Sequence, residues 1–143
     1  MKPAPIIIER IYDASSEKVW QAITDNKQMK EWYFDFEEFK PEVGFEWTWY
    51  GDDGVKKWLH AGKITEVIAG KKLSYTWRYP EYEGESLVTF ELFPEGNKTR
   101  LKLTHANIDS FPKDVPGLRL ENFVAGWEEI IGTSLKNYLA KTV

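Results

Sequence analysis

Between residues 45 and 105 several separate runs of the chain alternate one large apolar side chain with one polar side chain, and most of the large ones are aromatic. Phe45, Trp47 and Trp49 alternate with Glu46, Thr48 and Tyr50. Leu73, Tyr75, Trp77 and Tyr79 alternate with Ser74, Thr76 and Arg78. Val88, Phe90 and Leu92 share one parity, and Leu101, Leu103 and His105 alternate with Arg100, Lys102 and Thr104. Successive side chains of a strand point to opposite faces, so this period of two predicts an antiparallel sheet, dry on one face and wet on the other. Turn residues separate the runs: Pro41 to Gly44, Gly51 to Gly54, Ala69 to Lys72, and Pro94 to Asn97. With Ile6 to Tyr12 as a first strand, Phe36 to Lys40 as a short one and Trp58 to Val67 as a long one, the expected sheet has six to seven strands.

Helical patterns stand only at the two ends. Ser15 or Ser16 is a fitting N-cap, and Val19, Trp20 and Ile23 follow at helical spacing, which predicts a first helix over about 16–24. Thr24-Asp25-Asn26 breaks it and caps a second short helix over 27–33, with Met29 and Trp32 facing inward. Asn107 to Gly117 contains two prolines and reads as a crossing loop. A long final helix begins near Leu118 to Glu121, with Phe123, Val124, Trp127, Ile130, Ile131, Leu135, Tyr138 and Leu139 as an apolar stripe in steps of three and four. The predicted class is α+β. One helix cannot cover every inward residue of a broad curved sheet, so the sheet must wrap around the helix, and gaps between them become a cavity.

A chain of 143 residues fits one domain over 1–143. The net charge of −4 and the absence of any basic run longer than Lys56-Lys57 or Lys71-Lys72 argue against nucleic acid as a partner. No cysteine is present, which excludes disulfides, thiolate catalysis and cysteine-ligated metals. The first residues lack the apolar core of a signal peptide, and no segment is long and apolar enough to enter a membrane. A cytoplasmic protein is the expectation.

The candidate chemistry lies on the dry face. Trp47, Trp49, Tyr75, Trp77, Tyr79, Phe90, Trp127 and Ile131 are the expected walls of a cage for a flat apolar ligand, against the simpler alternative that they only fill the core. His105 shares the parity of Leu101 and Leu103 and should point inward. His60 is ambiguous, because Trp58, Gly62 and Ile64 share its parity while Leu59, Ala61 and Val67 share the other. Either imidazole could fix a polar ligand atom or serve as acid or base, and Glu66 is the one carboxylate placed to join them. The two histidines have no metal-binding spacing, so neither a metal nor a cofactor is expected. Gly126 and Gly132 interrupt the final helix at about 1 kcal/mol each relative to Ala, which calls for close approach to the sheet or to a ligand.

The order β-α-α-β(5–6)-α resembles the helix-grip fold of the START-like (SRPBCC, Bet v 1-like) superfamily. It is similar in particular to the group named after the C-terminal domain of the activator of Hsp90 ATPase. The residues carrying the resemblance are Val19-Trp20-Gln21-Ala22-Ile23-Thr24-Asp25, Trp32, Val43-Gly44-Phe45, Gly62 to Val67, Leu73 to Trp77, Val88 to Leu92, Thr99 to His105 and Gly126-Trp127. The resemblance specifies the fold and is nearly silent on function. The aromatic inner face capped by one helix is what implies a binding protein that holds a small hydrophobic or aromatic molecule between sheet and helix. The resemblance leaves two other readings open: a chaperone-associated module with a protein partner, and a cyclase- or hydrolase-like enzyme acting on a pocket-bound aromatic substrate.

Overall fold

The computed structural model describes residues 4–52 and 54–141. Six antiparallel strands form one sheet in the order β1-β6-β5-β4-β3-β2. They are β1 (Ile6–Tyr12), β2 (Glu46–Asp52), β3 (Lys57–Ile68), β4 (Lys72–Trp77), β5 (Ser86–Glu95) and β6 (Lys98–Ala106). Helices α1 (Ser16–Thr24) and α2 (Asn26–Trp32) follow β1. The C-terminal helix runs as α3 (Leu120–Glu129), a π-helical turn over Ile130–Ser134, and α4 (Leu135–Lys141). This is the helix-grip arrangement, with two short helices after the first strand and the last helix held by the curved sheet.

Local chemistry sets these boundaries. The Ser15 side chain accepts a hydrogen bond from the Lys18 amide and starts α1, and Asp25 then caps α2 through the Lys27 amide. The β5–β6 hairpin closes on Gly96-Asn97, with Glu95 opposite Lys98 and Gly96 at φ 66°. A Gly51 to Gly54 turn was expected, but β2 continues to Asp52; Asp53 itself lies outside the described residues. Phe36 to Lys40 forms no strand. Phe36 and Phe39 are buried as plugs of an irregular segment, packed edge-on against Trp47 at centroid distances of 5.7 and 5.1 Å.

The mixed parity of β3 has a physical cause. The pairing with β4 slips between Ile64↔Tyr75 and Glu66↔Ser74, so two residues of β3 oppose one step of β4. Such a bulge switches the inward face. His60, Gly62 and Ile64 point inward before it, and Val67 packs on the core after it. Glu66 is therefore turned outward and pairs with Lys72, 3.0 Å away, instead of joining a histidine.

The π turn answers a second sequence pattern. Phe123, Trp127, Ile131, Leu135 and Leu139 are all buried, each four residues after the last. In a regular α-helix a step of four overshoots a full turn by about 40°, so such a stripe would wander off the core within a few turns. The wider turn absorbs one extra residue and brings Leu135 and Leu139 back to the sheet. The Leu135 amide donates to Ile130 O, and the Tyr12 hydroxyl reaches across from β1 to donate to Ile131 O at 2.6 Å. Burial of that phenol raises its pKa well above the ordinary value.

Candidate functional site

Between the helix and the β2–β3–β4 end of the sheet lies a cleft of about 230 Å³. Its walls are aromatic: Phe34, Trp58, Trp77, Tyr79, Phe123 and Trp127, with His60 set among them. Three glycines border it, two of them packed against its side chains. A methyl group on Gly51 would lie 2.8 Å from His60 Cε1, and one on Gly117 would collide with the Trp58 indole. One on Gly126 would meet nothing within 4 Å, since that residue borders open space at the cleft rim. Gly132, by contrast, faces the Arg10 guanidinium at 3.6 Å, in ordinary contact.

The ten residues singled out from the sequence occupy three different settings. His60, Trp77, Tyr79 and Trp127 line the cleft. Trp49, Tyr75, Phe90 and Ile131 are buried in the interior behind it, where Tyr75 and Tyr33 share a hydroxyl hydrogen bond of 2.5 Å. Trp47 is also packed inside, stacked on Trp49 with centroids 5.3 Å apart, and its edge reaches a shallow outer groove beside Gly62. His105 is completely buried and borders a second cavity, of about 310 Å³, beside the start of β1 and the loop before α3. Sequence reasoning did not single out Phe34 or Phe123 for the site. Phe34 sits in a segment without periodicity, so no pattern points to it. Phe123 belongs to the helix stripe and could have been found by its position one turn before Trp127.

The two imidazoles flank Trp77, with ring centroids 5.0 Å from it for His60 and 5.4 Å for His105. Their hydrogen bonding differs. Trp127 Nε1 donates to His105 Nδ1 at 2.9 Å, which leaves the proton on Nε2. Nε2 then donates to Ser86 Oγ at 2.7 Å, and that hydroxyl donates to Trp77 O at 3.0 Å. Burial alone depresses the His105 pKa to about 3, so the ring is neutral and both nitrogens are engaged within the protein. His60 stacks on Trp49 at 5.1 Å and 11°. Its Nδ1 lies 3.0 Å from Trp58 O, and a carbonyl only accepts, so Nδ1 carries the proton. Burial lowers the His60 pKa to about 4, partly opposed by the Trp58 and Trp49 carbonyls.

This set can grip a planar molecule but does not assemble general acid–base chemistry of the kind expected from His105, His60 and Glu66 together, because Glu66 is outside and His105 is saturated by internal partners. Among the described residues no group of three His, Asp or Glu side chains could hold a metal ion. No helix there is long and apolar enough to cross a membrane.

Comparison with known proteins agrees with the architecture. The sequence matches no curated protein. Among solved structures, protein MLL2253 of Mesorhizobium loti is 28% identical, with a TM-score of 0.78 over 97% of this chain and 98% of that one. CalU16 of Micromonospora echinospora is 25% identical, with a TM-score of 0.74 over 95% of this chain and 76% of that one. CV1439 of Chromobacterium violaceum shares the fold at 21% identity and a TM-score of 0.78, over 96% and 97% of the two chains. The family model for "Activator of Hsp90 ATPase homolog 1-like protein" matches residues 13–140, so the chain belongs to that family, within the SRPBCC (Bet v 1-like) superfamily.

Proposed function

We propose that this protein binds a small aromatic or apolar molecule in the cleft between the β2–β4 end of the sheet and helix α3. The observation carrying this reading is an aromatic-walled space of about 230 Å³ whose rim, at Gly126, holds no side chain at all. An engineered cavity of about 150 Å³ accommodates benzene, and drug-sized pockets start near 300 Å³, so the cleft suits a molecule of one or two rings. Ring faces on several sides favour offset or edge-on stacking, and burial of the ligand's apolar surface supplies about 25 cal/mol per Å². For a ligand of about a dozen heavy atoms, usual efficiencies give a Kd between about 10 µM and 1 mM.

The test is a titration of 15N-labelled protein with 2-methoxynaphthalene, followed by amide and indole NMR shifts. Saturable shifts confined to Gly51, His60, Gly126 and the Trp77 and Trp127 indoles are the expected result. Unmoved resonances for this probe and for a panel of one- and two-ring aromatics would overturn the proposal.

A further inference from the structure

Two side chains of the cleft, His60 and Tyr79, each keep a hydrogen-bonding capacity without a partner among the described residues. His60 is 5% exposed and spends its one N–H on Trp58 O, which leaves the lone pair of Nε2 without a partner among the described residues. Tyr79 is also 5% exposed, and its hydroxyl accepts from Trp77 Nε1 at 2.9 Å. The proton of that hydroxyl has no acceptor among the described residues. Both side chains line the cleft, with ring centroids 4.8 Å apart. A polar group that faces a cavity without a protein partner is answered there by water or by a ligand. An unused acceptor and an unused donor, side by side in a cavity, describe the polar part of whatever fills it.

We infer that the cleft selects a phenol: an aromatic ring whose hydroxyl donates to His60 Nε2 and accepts from the Tyr79 hydroxyl. One hydroxyl group performs both roles, which an ether, a halide or a carboxylate cannot. The rest of the lining agrees. Among the described residues Asp52 is its only carboxylate and no Lys or Arg lines it, so an anionic ligand would find no cationic partner there. The aromatic walls accept the ring, so the hydroxyl decides between molecules of the same shape. This inference rests on the binding role proposed above and sharpens it to a ligand class.

Three probes of matched size separate the two levels: 2-naphthol, 2-methoxynaphthalene and 2-naphthoate. Binding to the 15N-labelled wild type is expected to be at least tenfold tighter for 2-naphthol than for the ether, and weakest for the carboxylate. The His60 Nε2 resonance should move upfield with 2-naphthol alone, as a lone pair that gains a donor does. In H60F and Y79F the preference for 2-naphthol over the ether should fall below about threefold. The imidazole shift is read in the wild type, so the conclusion survives if a variant folds poorly. Equal affinity for naphthol and ether, or an unmoved Nε2 resonance, would overturn the phenol assignment while leaving the binding role intact. Failure of all three probes to bind would overturn both.

Discussion

His105 and His60 stand on opposite sides of Trp77, both almost fully buried and both held neutral, yet they belong to different kinds of region. Around His105 every polar atom is answered. The chain from the Trp127 indole through the imidazole and the Ser86 hydroxyl to the Trp77 carbonyl ties α3 to β4, β5 and β6. Around His60 the rings stack face to face and edge to face, but the hydrogen bonds run out before the polar atoms do. Burial alone therefore does not distinguish a structural histidine from a recognising one. What distinguishes them is whether the second ring nitrogen is used.

The largest effect should come from breaking the answered side. His105→Ala removes a fully buried ring and strands the Trp127 N–H in the core, and its expected cost is about 3–5 kcal/mol in chemical denaturation. His60→Phe keeps the stack on Trp49 and gives up one hydrogen bond to Trp58 O, for about 1 kcal/mol. If the two substitutions cost the same, the contrast between the regions fails.

Acid provides the next test. Both histidines have an ordinary pKa of 6.5 and sit at about 3 and 4 when folded. Between about pH 6.5 and pH 4 the unfolded chain therefore binds more protons than the folded one. The stability contribution is complete above pH 6.5 and is lost as the pH falls toward the folded values. Each histidine contributes about 0.9 proton to the difference near pH 5, so the two together should lower wild-type stability by about 2.5 kcal/mol per pH unit there. H60F should lose half of that slope. A slope near pH 5 that does not change in H60F would show that the His60 imidazole takes up a proton in the folded protein as readily as in the unfolded chain. That would overturn the depressed pKa and leave the lone pair free only above about pH 6.5.

The two ends of the core also differ in how far they could be read from sequence. Toward β5 and β6, Val88, Leu92, Leu101 and Leu103 alternate without interruption and are all buried, because regular strands map parity directly onto facing. Toward β2 and β3 the parity rule breaks at the bulge before Glu66, and a bulge is one inserted residue with no composition of its own. That is why His60 read as ambiguous and Glu66 could be placed beside it. The plugs Phe34, Phe36 and Phe39 lie in a segment without period, so their inward packing is a tertiary outcome. Aromatic content announced a cavity region without giving its shape: the indole N–H groups of Trp47 and Trp49 end up buried without partners among the described residues, a sign of rings fitted by face and not by polar match. The π turn was visible in principle, as five apolar residues in unbroken steps of four.

The smallest predicted effect isolates the cleft from the fold. Gly126 sits inside α3, where glycine costs about 1 kcal/mol relative to alanine, and a methyl group there touches nothing. Gly126→Ala should therefore stabilise the protein by about 0.5–1 kcal/mol, measured by denaturant midpoint at unchanged m-value. The same methyl projects at the rim of a space of about 230 Å³, so it should weaken binding of 2-methoxynaphthalene by about two- to fivefold. Stability and binding would then move in opposite directions from a single methyl group, which is the behaviour of a glycine kept for access. If Gly126→Ala stabilises the helix and leaves binding unchanged, the ligand does not pass that rim, and the open side of the cleft must be sought between Asp52 and Trp58.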